Sequence, residues 1–132
     1  MSEHVSMDLS TVRAAEKALR VYFRITLGWG LSVDEQRALL RVDCDTFERW
    51  RSNEVREGLD QLTLERLSHI FAIYAVLQVL LPIPERADAW VRRANSAPLF
   101  GGKAALDRML SGDIADLALV RHYLEGQQQG WA

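Results

Sequence analysis

The sequence predicts an all-α protein, and three observations carry that prediction. No run of residues alternates between polar and apolar side chains with the period of two that a half-buried strand shows. The three prolines stand at positions 82, 84 and 98, and most of the eight glycines fall between segments whose apolar residues recur every three or four positions. With 132 residues, of which 48% are hydrophobic and 26% charged, the chain has the composition of a soluble globular domain.

The sequence pattern of the first half of the chain predicts three helices. Apolar residues at helical spacing place them over 10–27, over 33–40 and in a segment that begins with Asp45 as its N-cap. Gly28 and Gly30 end the first helix, and Ser32 is suited to cap the second. The polar stretch 53–61 is predicted to be a connecting loop.

The sequence pattern of the second half predicts four more helices. They span 63–81 with Thr63 as the cap, 84–93 with Pro84 in the first turn, 103–110 and 114–124. The first of these has the broadest apolar face and is predicted to be the central spine of the fold. Gly112 and Gly126 are predicted to end the last two helices, and residues 127–132 form a polar tail.

Charge and cysteine content exclude several classes of protein. Sixteen basic residues against eighteen acidic ones give a net charge of −2, so any DNA binding must come from a local patch. Cys44 is the single cysteine and cannot form an internal disulfide; with no secretory signal at the start of the chain, we expect a cytoplasmic protein. The longest apolar stretch, 70–81, is too short to span a membrane.

No enzyme signature emerges from the remaining residues. The three histidines are far apart in the sequence and form no metal-binding spacing with Cys44. The segment LFGGK lacks the first glycine of a phosphate-binding loop and has Ala104 where Ser or Thr is required, so turn geometry explains its glycines better. We therefore expect neither a metal, nor a cofactor, nor catalysis.

The pair of short helices is the strongest local constellation. Leu40, Val42, Phe47 and Trp50 have the spacing by which a helix-turn-helix packs its two helices, although an ordinary corner between two helices would show the same pattern. In a helix-turn-helix the second helix faces DNA. The residues predicted to contact phosphates or bases are Thr46, Arg49, Arg51, Arg41 and Ser52.

Two features oppose DNA binding by this segment. Arg37 stands where the first helix usually has a small residue, and Arg41 stands where the turn usually has glycine. Asp43, Asp45 and Glu48 also crowd the predicted reading surface, and their charge repels phosphate unless the nearby arginines outweigh it.

In the polar tail, Trp131 is suited to anchor a protein interface, with folding back onto its own domain as the alternative.

In order along the chain, these residues resemble the Xre-MbcA-ParS type antitoxins, in which an Xre-like helix-turn-helix precedes a small helical toxin-binding domain. In the first part the resemblance rests on LSVDEQRALLRVDCDTFERW. In the second part it rests on LERLSHIFAIYAVL, Trp90 to Arg92, Asn95, Leu99 to Gly102, Leu106, Met109, Leu110, Gly112, Val120, Tyr123 and Leu124. Ala94, Ala104 and Ala105 replace prolines common in the family. The resemblance divides the chain into 1–62, the helix-turn-helix region, and 63–132, the toxin-binding domain.

The resemblance implies an antitoxin that inhibits a RES-domain toxin, a NAD-consuming enzyme, and represses its own operon by binding operator DNA. The C-terminal region would cover the active site of the toxin, with which the chain would form a hetero-oligomer. From the apolar surfaces of the chain we also expect a homodimer, formed through the first helix, the spine helix or both. The residues implied in toxin binding are Asn95, Phe100, Gly101, Gly102, Gln128, Gln129, Gly130, Trp131 and Ala132. Two alternatives stay open: a stand-alone transcriptional regulator whose C-terminal part dimerises or senses a ligand, and an enzyme whose pocket the sequence does not reveal.

Overall fold

The structure, a computed structural model, describes residues 2–130, with side chains described from residue 11 onward. Its helices are α1 (Ser2–Gly28), α2 (Val33–Leu40), α3 (Cys44–Arg51), α4 (Gln61–Leu80), α5 (Pro84–Ala89), α6 (Ala105–Met109) and α7 (Ile114–Gly130), with a 3₁₀ turn at Trp90–Arg92. Residues 2–130 contain no strand, and one isolated antiparallel bridge joins Ala94 to Ala104. The prediction of an all-α fold is confirmed.

Helices α4 and α7 form the centre of the molecule. Their facing sides bury Leu67, Ile70, Ile73, Leu77, Leu117, Val120 and Leu124. These side chains belong to one apolar cluster that also contains Leu19 of α1 and Phe47 of α3. The predicted domain boundary between residues 62 and 63 falls in the first turn of α4, and the apolar core runs across it without interruption.

A buried polar network locks α2 against α1. The Tyr22 hydroxyl donates to the Gln36 carbonyl oxygen at 2.6 Å, and the Gln36 side-chain amide donates to the Thr26 hydroxyl at 2.9 Å. Thr26 in turn donates to the Tyr22 carbonyl oxygen at 2.9 Å, so each buried polar side chain has a partner. Burial raises the pKa of the Tyr22 hydroxyl far above its ordinary value. The apolar face of α1 is therefore used inside this chain.

Helix α2 has the predicted bounds because its signals are local. The Ser32 side chain accepts from the Glu35 backbone N–H at 3.1 Å, and the Glu35 carboxylate accepts from the Ser32 N–H at 2.9 Å. This capping box satisfies two backbone donors at the start of the helix. Both partners lie within three residues, so the sequence pattern was sufficient to define the start.

Two helices begin at a different cap from the one predicted. Asp43, not Asp45, caps α3: its backbone is extended, at ψ 164°, and its carboxylate accepts from the Thr46 N–H at 2.8 Å. Asp60, not Thr63, caps α4 in the same way. An N-cap needs both an extended backbone and a free N–H three residues ahead, and two suitable side chains within three residues compete for that role. Only the backbone conformation decides between them.

The lengths of the other helices also depart from the sequence pattern. Helix α7 continues through Gly126 to Gly130 instead of ending at residue 124. Glycine in a helix interior costs about 1 kcal/mol relative to alanine, which does not stop a helix anchored along α4. Helix α1 begins at Ser2 rather than residue 10, α5 gives way to the 3₁₀ turn at Trp90, and α6 is shorter than predicted, spanning Ala105–Met109.

Within residues 2–130, no helix is both long and apolar enough to cross a membrane. No three side chains of histidine, cysteine, aspartate or glutamate in the same part of the chain lie together in a way that could hold a metal ion.

Candidate functional site

Helices α2 and α3 are joined by a three-residue turn, 41–43, and α3 fixes its outward side chains through local contacts. The Asp43 carboxylate accepts from both the backbone N–H and the hydroxyl of Thr46, at 2.8 and 3.1 Å. These two hydrogen bonds lower the pKa of the Asp43 carboxyl from its ordinary value. The Arg49 guanidinium donates to the Thr46 hydroxyl oxygen at 3.3 Å, so Thr46 and Arg49 form one connected pair on a single side of the helix.

That side of α3 lines a groove of about 620 Å³ between the turn, α3 and the loop before α4. Three of the predicted DNA-binding residues line this groove: Arg41, Thr46 and Arg49. It is also lined by Arg56 and by the carboxylates of Asp43, Glu54, Glu57 and Asp60. The acidic side chains that the sequence places near the reading surface therefore lie in the same groove as its arginines.

Arg51 lies on the other side of α3. It lines a second groove, of about 380 Å³, together with Arg20 of α1, Trp50 and Asn53. Its guanidinium lies 3.7 Å from the Glu48 carboxylate, and both side chains are about half exposed, which makes this a weak pair. Ser52 follows as the exposed C-cap of the helix. The structure thus separates Arg51 from Thr46 and Arg49, although the sequence pattern grouped them.

The Arg41 side chain is directed toward the second half of the chain. Its backbone takes the left-handed conformation, at φ 55°, that the family pattern reserves for glycine. Its guanidinium donates to the Gly112 carbonyl oxygen at 2.8 Å, and the buried Arg66 of α4 donates to the same oxygen. In this conformation the Arg41 guanidinium binds the turn between α6 and α7, and its contact with DNA stays a prediction.

Arg66 is a residue that sequence reasoning missed. It is 7% exposed, and one of its terminal nitrogens has no hydrogen-bond partner within the described part of the chain. Burial, followed by the nearby Arg41 charge, lowers the pKa of the Arg66 guanidinium. Its position three residues after Thr63 and four before Ile70 puts it on the inward face of α4, and that spacing was the available signal.

Arg92 also joins the two halves of the chain, and here the arginine belongs to the second half and its partners to the first. Arg92, in the 3₁₀ turn, donates to the carbonyl oxygens of Trp29 and Gly30 at 3.1 and 2.6 Å and pairs with Glu35 of α2. The Ser32 N–H and then the Arg92 guanidinium lower the pKa of the Glu35 carboxyl. Arg41 and Arg92 therefore connect the helix-turn-helix segment to the rest of the chain at two separate points.

The segment 95–103 is a closed turn. The Asn95 N–H donates to the Lys103 carbonyl oxygen at 3.0 Å, and the Gly102 N–H donates to the Asn95 carbonyl oxygen at 2.9 Å. The Asn95 side chain accepts from the Ala97 N–H at 2.9 Å, which shapes the start of the turn. Gly101 and Gly102 are exposed and adopt φ values of 58° and 86°, so conformation rather than phosphate binding accounts for both glycines.

Phe100 is buried inside the domain. Its side chain is 6% exposed and packs edge to face against Trp90 and Tyr123, at ring-centroid distances of 5.8 and 5.2 Å. A ring buried in this way leaves little surface for a partner to contact. Phe100 anchors the turn 95–103 to the 3₁₀ turn and α7, and its predicted contact with a toxin stays a prediction.

The last described turn of α7 is exposed to solvent. Gln128, Gln129 and Gly130 all lie on this surface, in a helix rather than in the polar tail that the sequence predicted beyond the last helix. Trp131 and Ala132, which were also predicted to bind a toxin, lie outside the described residues.

Comparisons with known proteins identify the second half of the chain. The family model of the antitoxin Xre/MbcA/ParS C-terminal toxin-binding domain matches residues 76–130. The uncharacterized protein y4oB of Sinorhizobium fredii (strain NBRC 101917 / NGR234) is 43% identical over 113 residues, which cover 85% of this chain and 84% of that protein. No solved structure matches the chain. The chain belongs to the Xre/MbcA/ParS family of antitoxins, whose C-terminal domain binds a toxin.

Proposed function

We propose that the protein inhibits a RES-domain toxin by covering its NAD-consuming active site, and that it binds its own operator DNA through α3. The match of residues 76–130 to a toxin-binding domain carries the first part of this proposal. The RES class of the partner rests on the family resemblance of the residues from Trp90 to Leu124. Co-purification with the product of the adjacent gene tests it: a partner other than a RES-domain protein would contradict the assignment.

Two exposed features of the toxin-binding domain support a single contact surface. Tyr123 of α7 packs against Phe100 at the base of the turn 95–103. Gln127 follows Tyr123 by about one turn of the same helix, so the turn 95–103 lies beside the stretch of α7 that leads into its exposed last turn. The glutamine side chains there can both donate and accept hydrogen bonds. We assign toxin contact to this end of the domain.

A truncated protein that ends at Gly126 tests the covering mechanism. With purified toxin, we expect its inhibition of NAD consumption to be at least about tenfold weaker, corresponding to about 1.4 kcal/mol of lost binding. Circular dichroism should show the same folded core, because residues 127–130 are exposed. A length-matched control replaces Gln127, Gln128 and Gln129 with alanine. It separates the loss of the glutamine contacts from the loss of the volume that the segment occupies. Full inhibition by the truncated protein would contradict the covering mechanism.

Operator binding is proposed to use Thr46 and Arg49 on one side of α3, with Arg51 and Ser52 at its end. Arginines can bind phosphate or make two hydrogen bonds to guanine. The double variant Arg49→Ala, Arg51→Ala should weaken operator binding and reduce its dependence on salt. Unchanged affinity and salt dependence would remove both residues from the interface.

A homodimer is proposed through the start of α4. Leu62 and Leu64 are 62% and 47% exposed, and Leu64 lines a shallow, largely apolar groove of about 280 Å³ with Ala14 and Ala18 of α1. Sedimentation of a Leu64→Glu variant should show monomers if this surface pairs. The matched control is Val79→Glu, at an apolar position that is 61% exposed near the other end of the same helix. A dimer that survives Leu64→Glu would exclude this interface.

A further inference from the structure

The outward face of α1 carries a line of positive charge. Arg13, Lys17, Arg20 and Arg24 follow one another at spacings of four, three and four residues, and all four side chains are exposed. At 3.6 residues per turn this spacing confines them to about 60° of the helix circumference, on the side opposite the buried Ala15, Tyr22 and Thr26. We call these four residues the α1 basic stripe.

Nothing in the described part of the chain neutralises the stripe. None of its four side chains takes part in an ion pair there, whereas Arg51, Arg56, Arg92, Arg108 and Arg121 each have a carboxylate partner. Between residues 11 and 28 the only acidic residue is Glu16, which is partly buried. Like charges one turn apart destabilise a helix, so this uncompensated arrangement points to an anionic partner outside the chain.

The stripe continues onto the end of α3. Arg20 and Arg51 line the same groove, which Leu27 and Asn53 also border. A positive surface therefore runs from α1 across this groove to the C-terminal end of the helix proposed to read DNA. The groove on the other side of α3 is lined by four carboxylates, whereas no carboxylate lines the groove that Arg20 and Arg51 share.

From the position of these charges, we infer that the α1 basic stripe binds the phosphate backbone of duplex DNA beside the segment that α3 contacts. From Arg13 to Arg24 the stripe extends for about 16 Å at 1.5 Å per residue. Each strand of a duplex presents a phosphate about every 3.4 Å along the axis, so a run of phosphates can face these four cations. This inference rests on the proposed DNA binding and adds a second contact surface to it.

The side chains around the stripe favour DNA over other anionic partners. A protein interface needs a buried apolar centre, and insertion into a membrane surface needs large apolar side chains along the helix. Among the exposed residues of α1 from position 11 onward, Val21 and Leu27 are the large apolar ones, and Leu27 lies beyond the end of the stripe. Regularly spaced cations without apolar anchors suit a polyphosphate whose recognition does not depend on sequence.

The test measures binding of the full chain to two fluorescent duplexes of equal length, one from the region upstream of its own gene and one unrelated. Arg13, Lys17, Arg20 and Arg24 are changed together to glutamine, which preserves helix propensity. We expect the slope of log affinity against log salt to fall in magnitude by about 3 to 4, equally for both duplexes. A milder variant, Lys17→Gln with Arg24→Gln, should lower it by about 2 and serves if the fourfold variant does not fold.

Controls separate the stripe from α3 and from general charge effects. Arg86→Gln with Arg93→Gln removes two exposed arginines from the other half of the chain and should leave the slope unchanged. Arg49→Ala with Arg51→Ala should weaken binding to the upstream duplex more than to the unrelated one. Toxin inhibition by the stripe variants should equal that of the parent protein, which shows that they are folded.

Each contrary result is distinct. An unchanged slope in the stripe variants, with a reduced slope in the α3 variant, overturns the stripe and leaves operator binding by α3 intact. No binding of either duplex by the parent protein overturns both DNA surfaces without affecting the antitoxin proposal. Loss of toxin inhibition with unchanged DNA binding reassigns the stripe to a protein partner and overturns the inference.

Discussion

Helix α3 and the turn 95–103 are both proposed to bind a partner, but different interactions hold them in place. The outward side chains of α3 contact neighbours within three residues, as in the chain from Asp43 through Thr46 to Arg49. The turn is closed by backbone hydrogen bonds and anchored by the buried ring of Phe100. Charge on α3 can therefore be changed without disturbing the fold, whereas the shape of the turn cannot be separated from stability.

The largest expected effect comes from removing the anchor of the turn. Phe100→Ala should lower the free energy of unfolding by about 3–5 kcal/mol, because a buried aromatic ring is lost and a cavity remains. Arg51→Ala, at an exposed position on α3, should change it by no more than about 0.5 kcal/mol. Urea denaturation measures both values. Equal losses in the two variants would break the distinction between the regions.

A pair of glycine substitutions sharpens the comparison. Gly101→Ala places a side chain at φ 58° in open space and should cost about 1 kcal/mol. Gly112→Ala should cost more, because its Cβ at φ 88° would also lie 3.2 Å from the Arg41 guanidinium. A double-mutant cycle with Arg41→Ala, followed by urea denaturation, measures the extra cost. If the two effects simply add, the added methyl group does not interfere with the Arg41 guanidinium, and the backbone conformation alone accounts for the cost.

The smallest expected effect depends on pH. Burial, followed by the nearby Arg121, lowers the pKa of the His69 imidazole in the folded protein. The unfolded chain then binds the proton more readily, so stability is retained above a pH of about 6.5 and decreases as pH falls from there toward the folded pKa. Thermal melts at pH 7.5 and 5.5 should show a smaller decrease for His69→Gln than for the parent protein. The exposed His122→Gln should keep most of the decrease; an undiminished loss in His69→Gln would contradict this account.

Such a pH effect would be a further difference between α3 and the turn 95–103. His69 on α4 lies 3.4 Å from Arg121 on α7, in the helix pair that also carries Tyr123 and the base of the turn. The contacts within α3 do not include this pair. Acid should therefore weaken the packing beneath the toxin-binding surface before it alters the arrangement of Thr46 and Arg49.

Features that depend on local contacts could be predicted from the sequence, and features that depend on contacts between distant residues could not. The bounds of α2 were predicted correctly because Ser32 and Glu35 satisfy each other within one helical turn. The caps of α3 and α4 were predicted wrongly, because two side chains near each start satisfied the same pattern. The burial of Phe100 could not be predicted for a different reason: the aromatic residues that bury it, Trp90 and Tyr123, approach from other elements.

The sequence by itself determined the all-α class and the family, since helical periodicity and the ordered series of apolar, glycine and asparagine residues are properties of the chain alone. Only the tertiary structure decided that Arg41 and Arg66 meet at the Gly112 carbonyl, that Arg92 reaches Trp29 and Gly30, and that Arg20 shares a groove with Arg51. The physical reason is distance along the chain. Contacts between residues tens of positions apart depend on how whole helices pack, and no local pattern encodes that packing.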